Sequence, residues 1–306
     1  MMRTSTTFAA LAALAMGAAN PAISRAQDET PTPAPVADDD AADQAAPAGR
    51  PPMGETVFDG DWLSVGVGAA YSPSYDGSDD YVVSVLPIVQ GSLGGVDINP
   101  RPGGLALDFV PDAEDGPGID LGIAARIRRN RASQIEDPVV ASLGELDTAI
   151  EVGPTAGISF PGVLNPFDSF SVNVDAKWDV AGAHEGMVIE PSVTYFTPLS
   201  RGAVASLSLG TEYVSDKYAD YYFTVSPADS ITSGLPQFNA DGGFTKVSAT
   251  LLTGFDLNGD ATDGGFALVG IGGYSRLLGD AKDTPFTSVR GDADQWFIAA
   301  GIGYTF

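Results

Sequence analysis

The sequence predicts an all-β fold, a transmembrane antiparallel up-and-down β-barrel of about twelve strands with ten as the fallback count. Three observations carry that expectation. From Asp61 onward, segments of about 10 to 14 residues, rich in Val, Ile, Leu, Phe and Tyr, recur between clusters of turn residues, and many alternate with period two. Their polar faces hold charges of both signs near mid-strand, such as Lys177, Glu190, Glu212 and Lys246, which suits a polar lumen inside an apolar wall. The chain finishes on "DQWFIAAGIGYTF", where Trp296, Ile298, Ala300, Ile302, Tyr304 and Phe306 share one face and the last residue is aromatic.

The alternation is clearest in "FSVNVDAKWDV", where Val172, Val174, Ala176, Trp178 and Val180 oppose Asn173, Asp175, Lys177 and Asp179. "GIDLGIAARIRR" likewise sets Ile119, Leu121, Ile123, Ala125 and Ile127 against Asp120, Gly122, Ala124, Arg126 and Arg128. A soluble sandwich also alternates, but its strands typically run about 5 to 6 residues. In lipid every backbone donor and acceptor must be paired internally, and a closed sheet does this without an edge. The candidate strands lie near 61–71, 80–91, 93–99, 103–110, 117–129, 146–159, 168–180, 187–199, 202–214, 244–256, 264–277 and 293–306; the third and fourth are short.

An even count returns both ends to the periplasm. "TPLSRG" and "NGDATDGG" then read as periplasmic turns, residues 130–145, 215–243 and 278–292 as long external loops, and "NPRPGG" and "AGAHEG" as short external ones. Trp62, Tyr71, Tyr81, Trp178, Tyr195, Tyr213, Tyr274 and Trp296 stand near strand ends and form two interfacial girdles. Gly66, Gly68, Gly270, Gly272, Gly301 and Gly303 permit tight curvature. The last strand, ending on Tyr304 and Phe306, resembles the signal by which the bacterial barrel-assembly machinery recognises its substrates.

Residues 1–26 read as a secretory signal: Arg3, an apolar run from Phe8 to Ala19, and small residues before a cleavage point after Ala26. A membrane anchor is the rival, but the run is only about half of the roughly 20 residues a spanning helix needs. Residues 27–56 are rich in Pro, Ala and Asp and read as a disordered acidic tether, with Asp38, Asp39 and Asp40 as a solvated charge run. Residues 57–306 form the barrel. The expected location is the outer membrane of a Gram-negative bacterium, in contact with its lipid and lipopolysaccharide. The absence of cysteine removes thiolate metal sites, and the net charge of −25 argues against a nucleic-acid partner.

Candidate chemistry is sparse. His184, the single histidine, falls in "AGAHEG" and reads as an exposed loop residue, since no serine partner for nucleophilic catalysis is discernible. "DLNGDATDGG", with Asp256, Asn258, Asp260 and Asp263, resembles the start of a calcium loop, but Ala261 and Ala267 stand where that loop needs glycine and glutamate, so a polar turn is expected. Arg126, Arg128, Arg129 and Arg131 form a basic cluster at the external mouth, the first two directed into the lumen and the others into the loop. They either bind anionic lipopolysaccharide or solutes or, the preferred reading, balance Asp120, Asp147 and Glu151.

Three stretches together resemble the MipA/OmpV family of outer-membrane proteins (MltA-interacting protein). "YSPSYDGSDDYVVSVLPI" supplies Pro73, Tyr75, Gly77, Ser78, Tyr81 and Pro87. "YYFTVSPADSITSGLPQFNADGGF" supplies Tyr222, Phe223, Val225, Ser230, Ser233, Gly234, Leu235 and Pro236. "YSRLLGDAKDTPFTSVRGDADQWFIAAGIGYTF" supplies Arg276, Leu277, Gly279 and Asp280, with Gly279 and Asp280 turning into the last external loop and Asp280, Lys282 and Asp283 solvated or locally paired. The resemblance implies no catalytic residue, cofactor or metal. It implies a scaffold that joins a lytic transglycosylase to a penicillin-binding protein; on the strand topology above, the tether 27–56, which lies outside the family pattern, and the periplasmic turns 111–117, 160–168 and 257–263 are the docking candidates. A small-solute channel and a surface adhesin are the alternatives.

Overall fold

The computed structural model describes residues 56–111 and 116–306. The expected signal segment 1–26, and all of the tether 27–56 except Thr56, lie outside the described residues. A 3-10 turn at Val57–Asp59 leads into β1 (Trp62–Pro73), β2 (Tyr81–Leu93), β3 (Val96–Arg101), β4 (Gly104–Asp108), β5 (Gly118–Arg128) and β6 (Ala149–Pro161). Then follow β7 (Ser169–Asp179), β8 (Met187–Ser200), β9 (Ala203–Val214), β10 (Gly243–Asp256), β11 (Gly265–Leu277) and β12 (Asp294–Thr305). Each strand pairs antiparallel with its sequence neighbours and β12 closes on β1, so the expected twelve-stranded up-and-down barrel is the fold observed. The two short segments are real strands, at six and five residues.

Period-two alternation builds the wall. On β7, Trp178 faces out at 45% exposure while its neighbour Lys177 faces in at 1%. The closing seam needs glycine: Gly66 stands opposite Gly303, and a Cβ on Gly66 would lie 2.9 Å from the Gly303 Cα. Below it, the Leu63 and Phe306 backbones exchange N–H···O bonds of 2.9 and 3.0 Å. Aromatic pairs stack at the external rim (Tyr71 with Tyr81, Tyr274 with Trp296, Tyr213 with Phe244) and at the periplasmic rim (Phe266 with Tyr304). These are the two girdles.

The lumen is only half polar. The inner faces of β1, β2, β10, β11 and β12 carry Ala70, Leu86, Ile88, Leu252, Ile271 and Ala299 in one buried cluster with Phe297 packed against it. Full burial of each Leu or Ile contributes roughly 1.5–3 kcal/mol. The belt charges are carried by β3 and β5 to β10, described below.

The external loops are folded as well. They contain α1 (Pro138–Ala141), α2 (Asp216–Phe223), α3 (Pro227–Ser233), α4 (Gly279–Asp283) and α5 (Pro285–Ser288). Val188, Val214, Tyr218, Ala219, Tyr222, Phe223, Ala240 and Ala281 form one buried core above the barrel, and Tyr75, Val140, Val225, Leu235 and Phe286 form a second. These helices are too short for an apolar period to show in sequence; their end signals are local. Ser226 and Asp229 form a capping box on α3, which ends at Gly234 with φ +76°.

Asp137 caps α1 through the Val139 and Val140 N–H groups at 2.8 and 2.9 Å and takes Arg290 from the far loop, Nε at 2.9 Å. Burial raises its pKa, but Arg290 and the two amides outweigh burial and hold it below the ordinary carboxylate value. A folded-state pKa depressed in this way contributes stability above the unfolded value and loses it as pH falls through the folded one. Amide exchange protection of residues 137–143 should therefore be level down to about pH 5 and fall below about pH 4. In Asp137→Asn that acid step should vanish; an unchanged step would assign it to another group.

Candidate functional site

A belt of ion pairs crosses the lumen beneath the cap. It follows from seven strands, β3 and β5 to β10, each placing an inward charge at similar depth. Arg128 is its hub: Nε bonds Glu151 Oε1 at 2.6 Å and Nη2 bonds Glu212 Oε2 at 2.8 Å. Arg126 reaches across to Glu190 Oε1 at 2.5 Å and Glu212 Oε2 at 3.5 Å. Glu190 also pairs with Lys177, Lys246 lies 3.4 Å from Glu212, and Arg101 bonds Asp175 at 3.2 Å. Thr155 donates to Asp175 at 2.6 Å and Thr245 to Glu212 at 2.8 Å, satisfying further lone pairs. Buried charges persist only when paired and hydrogen-bonded to this degree.

The cap closes over this belt. The Arg128 guanidinium lies under the Tyr218 ring at 4.8 Å, a cation–π contact. His184 does not occupy the exposed position expected of it; it is buried, because its turn folds inward over the lumen. Its Nδ1 accepts the Gly186 N–H at 3.0 Å, which leaves Nε2 as the donor to Glu151 Oε1 at 3.2 Å. Its ring meets Tyr218 edge-on, with centroids 4.9 Å apart. This makes His184 a bridge between barrel and cap, and no serine hydroxyl hydrogen-bonds its ring among the described residues.

The basic cluster divides. Arg126 and Arg128 enter the belt. Of the carboxylates expected opposite them, Glu151 is a partner; Asp147 is exposed in the loop, and Glu190 and Glu212 from β8 and β9 stand in its place. Two charges on strands far apart in sequence meet only through closure, so period two alone does not pair them. Arg131 is buried in the cap, stacked over Phe286 at 4.1 Å. Arg129 is half-exposed, with no side-chain ion pair among the described residues.

The three motif stretches, distant in sequence, meet in the cap. Tyr75 and Leu235 share the second cap core. Gly77, at φ +98°, accepts the Asp292 N–H through its carbonyl at 2.9 Å, and Ser78 bridges to Gly291. Pro73 and Tyr81 frame this loop as the ends of β1 and β2. Ser233 and Gly234 terminate α3, and Pro236 follows, exposed. Arg276 Nη1 donates to both carboxylate oxygens of Asp294, at 2.7 and 2.8 Å, and Leu277 is buried at the end of β11. Gly279 turns at φ +50°. Asp280 is half-exposed, and its carboxylate accepts the Asp241 N–H at 2.7 Å, which ties two loops together. Lys282 pairs locally with Asp283 at 3.6 Å.

At the periplasmic end, "DLNGDATDGG" is a self-bonded turn. Asp256 accepts the Asn258, Gly259 and Asp260 N–H groups, and Asp260 takes Arg201 at 2.8 Å. Among the described residues no cluster of His, Cys, Asp or Glu is arranged to hold a metal.

A closed barrel with an apolar outer belt, aromatic girdles and a charged, capped lumen is an outer-membrane β-barrel protein. The chain belongs to the MipA family: the family model described as "MltA-interacting protein MipA" matches residues 65–306, the whole barrel bar the first three residues of β1. Among solved structures it is similar to an outer membrane channel from Pseudomonas putida F1, at 13% identity and TM-score 0.43 over 86% of this chain and 100% of that one. OprD of Pseudomonas aeruginosa matches at 11% identity and TM-score 0.34, over 81% of this chain and 66% of that one. The toluene transporter TbuX of Ralstonia pickettii matches at 10% identity and TM-score 0.33, over 83% and 90%. No curated protein matches significantly.

Proposed function

We propose that the protein is a non-enzymatic scaffold that docks a lytic transglycosylase, and with it a penicillin-binding protein, on its periplasmic face. The family's description supports the partner class. The observation that carries the reading here is the turn 162–168. Its Leu164 is 78% exposed, and its backbone is held rigid because Asp168 accepts the Val163, Leu164 and Asn165 N–H groups at 2.7 to 3.0 Å and the Tyr195 hydroxyl at 2.7 Å. A preformed apolar tip binds without the cost of ordering it. On the same reading the assembly machinery takes up the chain by its Tyr304 and Phe306 end, and the outer face contacts lipid and lipopolysaccharide.

Affinity capture from solubilised envelopes tests the proposal. Wild type should retain a lytic transglycosylase, and Leu164→Asp should reduce its recovery by about tenfold, a loss of about 1.4 kcal/mol, while heat-modifiable migration stays normal. Equal recovery would remove the turn from the interface; no transglycosylase with wild type would remove the scaffold. A small-solute channel is the second reading, favoured by a lumenal cavity of about 460 Å³ beside the belt.

A further inference from the structure

The barrel wall has a seam. β2 is laddered to β1 along its whole length, from Trp62–Ser92 to Pro73–Tyr81. Towards β3 it makes three pairs, Gly91–Ile98, Ser92–Asp97 and Leu93–Val96. Beyond them the β3–β4 hairpin follows β5 instead, registered up to Gly104–Arg126. From Val82 to Val89, β2 therefore has a strand partner on one side only. Prolines stand on both margins, Pro87 in β2 and Pro100 and Pro102 at the hairpin. Proline offers no N–H to a ladder and is confined to sheet edges for that reason.

The seam lies within the lipid belt, where Val83 and Val85 of β2 face outward at 63% and 53% exposure. Unpaired backbone at that depth is tolerated only where it lines a polar or water-filled cavity. The lumenal cavity reaches both margins: Val82 and Ser84 line it on one side and Pro100, Pro102 and Gly103 on the other, with Arg129 and Asn130 above. Two donors there lack an acceptor among the described residues. Arg129 has no side-chain partner. Asn130 is buried, with its Oδ1 fixed by the Asp76 N–H at 3.0 Å, and its Nδ2 is unbonded.

We infer that the seam and cavity bind a single-chain anionic amphiphile. Its oxyanion head sits at Arg129 and Asn130, and its alkyl chain runs between β2 and the hairpin into the outer leaflet. The head matches the two unsatisfied donors, and the chain matches a slot with valine and proline margins that opens on lipid. This site is separate from the periplasmic docking face and does not depend on it.

Dodecyl phosphate is the probe, titrated calorimetrically into the purified barrel in maltoside detergent. One equivalent should bind, Arg129→Glu should weaken binding at least tenfold with heat-modifiable migration unchanged, and neutral dodecanol should bind correspondingly less well. A second arm uses the cysteine-free background. In vesicles, N-dodecylmaleimide delivered through the lipid should label Ser84→Cys but not Ser206→Cys, which faces the lumen away from the seam, and dodecyl phosphate should protect Ser84→Cys. Equal binding by wild type and Arg129→Glu would overturn the head site. Absence of labelling at Ser84→Cys would overturn the lateral route.

Discussion

Arg128→Met is expected to destabilise the barrel by about 3–5 kcal/mol, the usual consequence of removing one member of a buried ion-pair network. The reason is the pair of carboxylates left behind. Glu151 and Glu212 are both buried and both bond to Arg128, on different strands. Glu212 would keep Arg126 and Lys246 at 3.5 and 3.4 Å, whereas Glu151 would keep only His184. Methionine fills much of the arginine volume, so the loss reports charge rather than a void. Denaturant unfolding followed by tryptophan fluorescence gives the difference, and adding Glu151→Gln should recover a large part of it. A change of less than about 1 kcal/mol, the size of an exposed pair, would show the belt to be solvated and the hub assignment wrong.

Excising residues 216–240 and bridging the gap with a short Gly-Ser linker is expected to turn a silent barrel into a conducting one. Tyr218 and Tyr222 belong to this segment, lie at most 1% exposed, and stack with each other at 4.7 Å over the lumen mouth. Their removal exposes His184 and the Arg128 guanidinium to water and leaves the loops carrying α1 and α4 without their shared core. Planar bilayers should show no stable steps for wild type and stable steps for the excised form. Steps from wild type would favour the channel reading over the scaffold. Silence from both would place the block lower, at the apolar cluster of Leu86, Ile88, Leu252 and Ile271.

The wall was legible residue by residue. Val172, Val174 and Trp178 are outward, and Asp175 and Lys177 inward, because a strand has period two and one side of it must meet lipid. The short hairpin β3–β4 was legible as two short segments, and its brevity is what leaves β2 without a second strand partner along the seam. The cap was not legible. Its helices span four to eight residues, and residues that pack together, such as Tyr75, Val140, Val225 and Phe286, lie on four different loops. His184 misled for the same reason: a short polar turn reads as exposed until the loops that cover it are placed.

The sequence by itself determined the inward and outward faces and the aromatic rims, which are local patterns imposed by a pleated chain in lipid, and, through its three motif stretches, the family; between twelve strands and ten it left the choice to the closed barrel. Only the tertiary structure decided which charges meet, that the lumen is half apolar, and that the motif residues Tyr75, Gly77, Leu235 and Asp280 hold one cap together. Those contacts join strands and loops that closure of the barrel brings together, and closure is a property of all twelve strands at once.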